Sequence, residues 1–122
     1  MPEPPELKPL HWVGSSKNDL HSLPDDVEDL FGYALYLAQA GKKHAQAKPL
    51  KGFGSAGVLE VVEDWHGNTY RAVYTVRFAR SIFVLHVFQK KSKRGIATPK
   101  GDLDLIQKRL CIAEQFAKEL GP

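Results

Sequence analysis

Apolar residues follow two different periods along this chain. Over residues 24–41, Val27, Leu30, Phe31, Ala34, Leu37 and Ala38 recur at intervals of three and four, the repeat of one helix face. Asp25, Asp26, Glu28 and Asp29 crowd the first turn, where a helix N-terminus favours negative charge, while Pro24 suits the start and Gly41 the stop. The same spacing returns at Leu103, Ile106, Leu110, Ala113, Ala117 and Leu120. It predicts a second long helix that begins after Pro99, a residue unable to sit inside it, and that buries Cys111. Between these helices the period shortens to two. Residues 58–65, 70–79 and 82–89 read as strands, joined through "WHGNTY", where Gly67 and Asn68 tolerate positive φ, and through the short "ARS" link. On the middle strand Tyr70, Ala72, Tyr74, Val76 and Phe78 share one face, and Arg71, Val73, Thr75 and Arg77 the other. "IFVLHVF", residues 82–88, is apolar on both faces apart from His86, the mark of a central strand covered on both sides.

Ahead of these elements, "LHWVGS" reads as a short strand, and "SSKNDLHSLP" offers Ser15 or Ser16 as the cap of a helical turn that Pro24 interrupts. The stretch "GKKHAQAKPLKGFGSAG", residues 41–57, has no apolar period and reads as a loop. The expected order is β-α-α-β-β-β-α. It describes an α+β fold in which a small antiparallel sheet, a three-stranded meander plus an N-terminal strand, packs against two N-terminal helices and a C-terminal helix. The expectation is one domain over residues 1–122, with a Pro-rich extended arm at 1–9.

Composition narrows the class. A chain that is 43% hydrophobic and 25% charged is ordinary for a folded domain. Its one cysteine excludes an intrachain disulfide and a cysteine-based zinc site. No apolar run approaches a membrane span or a signal-peptide core, so a cytoplasmic location is expected. The net charge of +3 conceals a strong polarity: residues 1–41 carry two lysines against seven acids, the rest fifteen cations against seven acids. From Trp65 to Lys100 there are eight cations and no Asp or Glu. Such segregation attracts polyanions or acidic proteins.

A lysine run alone is usually a solvated turn. Here Lys90, Lys91, Lys93, Arg94 and Lys100 form a cationic loop beyond the third strand, with Arg71 and Arg77 alternating on one strand face beside it. Several cations without local neutralisation suit phosphate contact. Lys48 and Lys51 extend the basic surface. Tyr74 and Phe78 fit the core, whereas Tyr70, beside the turn, and Phe88, at the exit to the loop, are placed to stack on bases. His86 fits a hydrogen-bonded strand histidine that at the sheet end can exchange a proton. The five histidines lack ligand spacing, so neither metal nor cofactor is expected. "GFGSAG" lacks the G-K-[ST] of a nucleotide loop and leads into a strand.

The segments "KPLKGFGSAGVLEVVEDWHGNTYRAVYTVRF" and "VLHVFQKKSKRGIATPKGDLDLIQKRL" resemble the HigB-like branch of the RelE/ParE toxin superfamily. The likeness runs from about Ser15 to Leu110, and its most specific feature is F-x-K-K-x-x-x-x-x-x-T-P with an upstream Y-R-x-x-Y. The resemblance implies a RelE/ParE-like fold and a toxin of a type II toxin-antitoxin pair. Such a toxin is a ribosome-dependent mRNA endonuclease held inactive by a helix-turn-helix antitoxin from a neighbouring gene. The antitoxin is expected to cover the cationic loop with acidic residues. Cleavage by 2′-OH attack on the adjacent phosphate needs no metal. It needs a group to take the 2′ proton, charge stabilisation at phosphorus and a proton for the leaving 5′ oxygen.

Carried over by motif, Arg71 in "YRAVY" stands where the superfamily keeps a phosphate-stabilising arginine, and Lys90 and Lys91 begin its basic active loop, continued by Lys93 and Arg94. Closely packed cations depress one another's pKa, which suits a lysine to act as a base. The last helix lacks the histidine and acid constellation that some HigB nucleases carry near the C-terminus, leaving His86 or a lysine to move protons. That departure keeps open a toxin of the same fold that acts on DNA gyrase, or a relic that only binds the antitoxin.

Overall fold

The computed structural model describes residues 6–54, 57–90 and 98–121. Five strands and three helices follow in the order β1 (Leu10–Trp12), α1 (Ser16–His21), α2 (Asp25–Gln39), β2 (Ala47–Pro49), β3 (Val58–Trp65), β4 (Asn68–Thr75), β5 (Ile82–Lys90) and α3 (Lys100–Leu120). The strands form one mixed sheet in the order β1-β5-β4-β3-β2. β1 runs parallel to β5; the other neighbours are antiparallel. The α+β architecture matches the reading of the sequence, with a fifth strand and a parallel edge added to it.

β2 lies inside the stretch read as a loop. It is three residues long and pairs Lys48 with Glu60 on β3. A piece that short has no alternation to detect, and its Pro49 is tolerated because β2 is the sheet edge. The β3–β4 turn is tighter than expected: Trp65 pairs with Asn68, so His66 (φ 50°) and Gly67 (φ 81°) are its two central residues. Positive φ at both marks the type I′ turn that matches strand twist. β4 ends at Thr75 rather than continuing to Ala79, because Gly57 accepts bonds from Val76 N and Thr75 Oγ1 while Thr75 Oγ1 accepts one from Arg77 N.

The sheet separates two apolar layers. Against α1 and α2, Tyr70, Ala72, Tyr74, Ile82, Val84 and Val87 pack with Leu20, Val27, Phe31 and Leu35. Against α3, Val73, Phe83 and Leu85 pack with Ile106, Leu110 and Ala113. Phe78 joins this second layer, because the strand has already ended before it. Cys111 lies on the outer side of α3 and is exposed, as is Leu120, so the buried stripe of that helix is narrower than its apolar pattern.

One irregularity matters for the site. Val73 pairs with His86, but the next residue, Tyr74, pairs with Val84, so Leu85 is an extra residue in β5. Strict alternation from Phe83 and Leu85 would put Val87 on the α3 side and His86 on the α2 side. The bulge reverses that parity and places His86, Phe88 and Lys90 on the α3 side, beside Val73, Arg71 and Thr69. Arg109 on α3 donates to the Leu85 carbonyl at 2.9 Å and so satisfies the bulged residue. Its guanidinium passes over Gly14 (φ 60°), where a Cβ would come within 2.7 Å of Nη2.

Candidate functional site

Cross-strand pairing assembles a polar patch on the α3 side of the sheet. Lys48, Glu60, Val73 and His86 form one row across β2, β3, β4 and β5, and Val62, Arg71 and Phe88 form the next. Arg71 and His86 are diagonal neighbours, a relation that spans roughly 7–8 Å between backbones. Thr98, Pro99 and the first turn of α3 close the patch at one end.

Arg71 is only 3% exposed. Its Nη1 donates to Glu60 Oε2 at 2.9 Å and to Thr98 Oγ1 at 2.8 Å. Glu60 is also buried, and its other oxygen lies 3.8 Å from Lys48 Nζ. His86 Nε2 lies 2.8 Å from Asp102 Oδ1, and its ring stacks on Phe88 with centroids 4.3 Å apart and planes 15° apart. Lys90, at the end of β5, is buried to 8% exposure. The Thr-Pro of the sequence pattern thus has a physical role: Thr98 holds the Arg71 guanidinium, and Pro99 precedes the helix whose Leu103 N–H bonds back to it.

The structure therefore brings Lys48, Arg71, His86, Phe88 and Lys90 onto one face. It separates others from it. Tyr70 lies on the opposite side of the sheet, buried in the α2 layer, so its ring is core and not open to stacking. Arg77 pairs with Glu114 and lies over the Phe78 ring at 5.9 Å. Glu114 is twelve residues beyond Asp102 on α3, about 18 Å along a helix rising 1.5 Å per residue. Lys51 is exposed in a turn after β2, and Lys100 is exposed at the start of α3, 3.9 Å from Asp104. Lys91, Lys93 and Arg94 lie outside the described residues.

The acid-free window in the sequence does not become an acid-free surface. Glu60 arrives from before it, on β3, and Asp102 from after it, on α3; each meets the buried basic side chain opposite. Neither these two acids nor Thr98 stands among the site residues that the sequence suggests. Glu60 leaves a trace in the sequence, a lone acid between Val58 and Val62 on the strand face that pairs with the Arg71 face. Asp102 leaves none, since an acid in a first helical turn is ordinary. Among the described residues, no three His, Cys, Asp or Glu side chains come together as a metal set, and no helix is long and apolar enough to cross a membrane.

A small mixed sheet with helices on both faces and a polar patch under the last helix is compatible with a RelE-like α+β protein. The chain belongs to the family described as Phage derived protein Gp49-like (DUF891), matched over residues 18–111, a toxin-like family of RelE/ParE kind. The matched span contains Glu60, Arg71, His86 and Asp102. No curated protein and no solved structure matches the chain.

Proposed function

We propose that this protein is the toxin of a type II toxin-antitoxin pair and cleaves mRNA on the ribosome without a metal. The observation that carries the reading is the shared face of Arg71, His86, Phe88 and Lys90 in a chain of a toxin-like family. In the proposed reaction a ribose 2′ oxygen bonds to the adjacent phosphorus as the bond from phosphorus to the 5′ oxygen breaks, leaving a 2′,3′-cyclic phosphate and a 5′ hydroxyl. Arg71 and Lys90, joined by Lys91, stabilise charge on the phosphate; His86 serves proton transfer, and Phe88 offers an edge for a base. Lys48, Lys51, Lys93, Arg94 and Lys100 hold flanking phosphates and ribosomal RNA. The partner is a helix-turn-helix antitoxin whose acidic residues cover this surface.

A second reading draws on one feature of the site. Arg71 is buried and already bound to a carboxylate, an arrangement that also serves sheet stability alone. On that reading the toxin binds a protein target such as DNA gyrase, or the chain is a relic that only binds the antitoxin. Primer extension on a defined transcript in a translating extract separates the two. Ribosome-dependent cuts that vanish with Arg71→Ala and with the double Lys90→Ala, Lys91→Ala variant are expected. Growth arrest without cuts would transfer the proposal to a protein target.

A further inference from the structure

We infer that the exposed face of α2 is a docking surface for an arginine-bearing helix of a partner protein, seated over Gly32. The inference stands apart from the nuclease reading and concerns the other side of the sheet from the polar patch. α2 buries Val27, Phe31, Ala34, Leu35 and Ala38 and leaves Asp25, Asp26, Asp29, Gly32, Tyr33 and Tyr36 exposed. Two large aromatic side chains therefore stand in solvent on a helix that has already filled its layer of the core: Tyr33 is 56% and Tyr36 42% exposed. Their rings lie 18° from parallel with centroids 6.4 Å apart, and His44, between α2 and β2, meets Tyr33 edge-on at 5.8 Å. His44 is itself held by Gln46 N, which donates to its Nδ1 at 3.0 Å.

Asp29, Gly32, Tyr33 and Tyr36 are spaced i, i+3, i+4 and i+7, the four corners of the hole in which one helix receives a side chain of another. Gly32 lies inside α2 with nothing within 4 Å of the position a Cβ would take, so neither a turn nor a neighbour in this chain requires glycine there. Glycine inside a helix gives up stability; what it offers in return is a floor low enough for a second backbone to approach. The occupant's charge follows from the helix. α2 carries four acids and no Lys or Arg, and Lys42 and Lys43 come only after it has ended. Glu28 contacts His21, and Trp65 Nε1 donates to Asp26 Oδ2 at 3.3 Å, while Asp25 and Asp29 are exposed. An arginine seated over Gly32 meets the Asp29 carboxylate on one side and tyrosine rings on the other, an ion pair and a cation–π contact together. Lysine brings the charge without the flat stacking surface. The same acids repel a nucleic acid, and a second copy docked through α2 sets one acid-rich helix against another.

The test uses the full chain labelled with nitrogen-15 and two synthetic alanine-rich helical peptides of equal composition. One carries its arginines along a single face at intervals of three and four; the other has them spread around the helix. In about 0.15 M salt, where exposed charges alone are largely screened, NMR titration should move the amides of α2 and the Trp65 indole. The one-faced peptide should bind at least about 10-fold tighter than its isomer, the margin that one well-seated side chain provides. Gly32→Leu fills the hole with a good helix former, so it should weaken that peptide by about 10-fold or more while the melting temperature holds or rises. Changing Tyr33 and Tyr36 together to Ser should weaken it similarly with net charge unaltered. Equal binding of the two peptides, unchanged affinity in Gly32→Leu, shifts centred away from α2, or no binding at about 1 mM peptide would overturn the proposal. So would self-association in sedimentation that Gly32→Leu abolishes, since the face would then belong to a second copy.

Discussion

Tyr74 offers a stability measurement with a sign fixed by the structure. It sits on β4 in the α2 layer, 1% exposed, and its hydroxyl has no hydrogen-bond partner. Burial penalises the phenolate and pushes its pKa from 10.0 up to about 12. The neutral form is thus favoured by folding: the stabilisation is full below pH 10 and is lost as pH rises toward 12, because the unfolded chain releases the proton first. With 1.36 kcal/mol per unit, the loss is about 0.4 kcal/mol at pH 10 and about 1.4 kcal/mol at pH 11, approaching about 2.7 kcal/mol beyond pH 12. Tyr74→Phe removes this titration. Urea unfolding of both proteins at pH 7 and at steps up to pH 11 gives the difference, in which the other tyrosines and the lysines cancel. At pH 7 the variant should equal wild type or exceed it by up to about 1 kcal/mol, since no hydrogen bond is lost. It should then gain about 1.4 kcal/mol on wild type by pH 11. A variant less stable by more than about 1 kcal/mol at pH 7 would reveal a partner for the hydroxyl. A gap that stays constant with pH would refute the desolvation argument.

Two further outcomes follow from single contacts. Glu60→Gln takes the carboxylate from a buried guanidinium and should cost about 3–5 kcal/mol in urea unfolding, most of it recovered when Arg71 is also changed to Met, because a buried charge is costly chiefly when its counter-charge is removed. Gly32 lies inside α2 with nothing within 4 Å of the position a Cβ would take, so Gly32→Ala should add about 0.5–1 kcal/mol and raise the melting temperature by a few degrees.

What the sequence made legible follows the length of each element. α2 and α3 each carry a repeated apolar stripe, β5 a long apolar run and β3 the apolar pairs Val58–Leu59 and Val61–Val62, so their positions and most of their bounds could be read directly. β2, at three residues, has no pattern, and the end of β4 depends on Gly57, eighteen residues before Thr75, which no local rule connects to it. For the site, residue type pointed to Arg71, His86 and Lys90, but facing did not follow from spacing. Tyr70 is one residue from Arg71 and lies across the sheet from it, as strand alternation requires. His86 is brought to the Arg71 face only by the extra residue at Leu85, which parity counted along the strand misses.

The same bulge links the fold to the proposed chemistry. Arg109 satisfies its carbonyl from α3, three residues after Ile106 has entered the core and seven after Asp102 has met His86. One helix therefore fixes both the backbone that aims the histidine and the acid that orients it. The Glu60 contact has a comparable logic on the nuclease reading. A phosphate reaching Arg71 must compete with a carboxylate already 2.9 Å away, and Lys48, 3.8 Å from the other oxygen, gives that carboxylate a second cation when the guanidinium turns to an anion. The buried pair then keeps an otherwise costly arginine stable in the empty protein, and the substrate replaces a charge partner rather than stripping one from solvent.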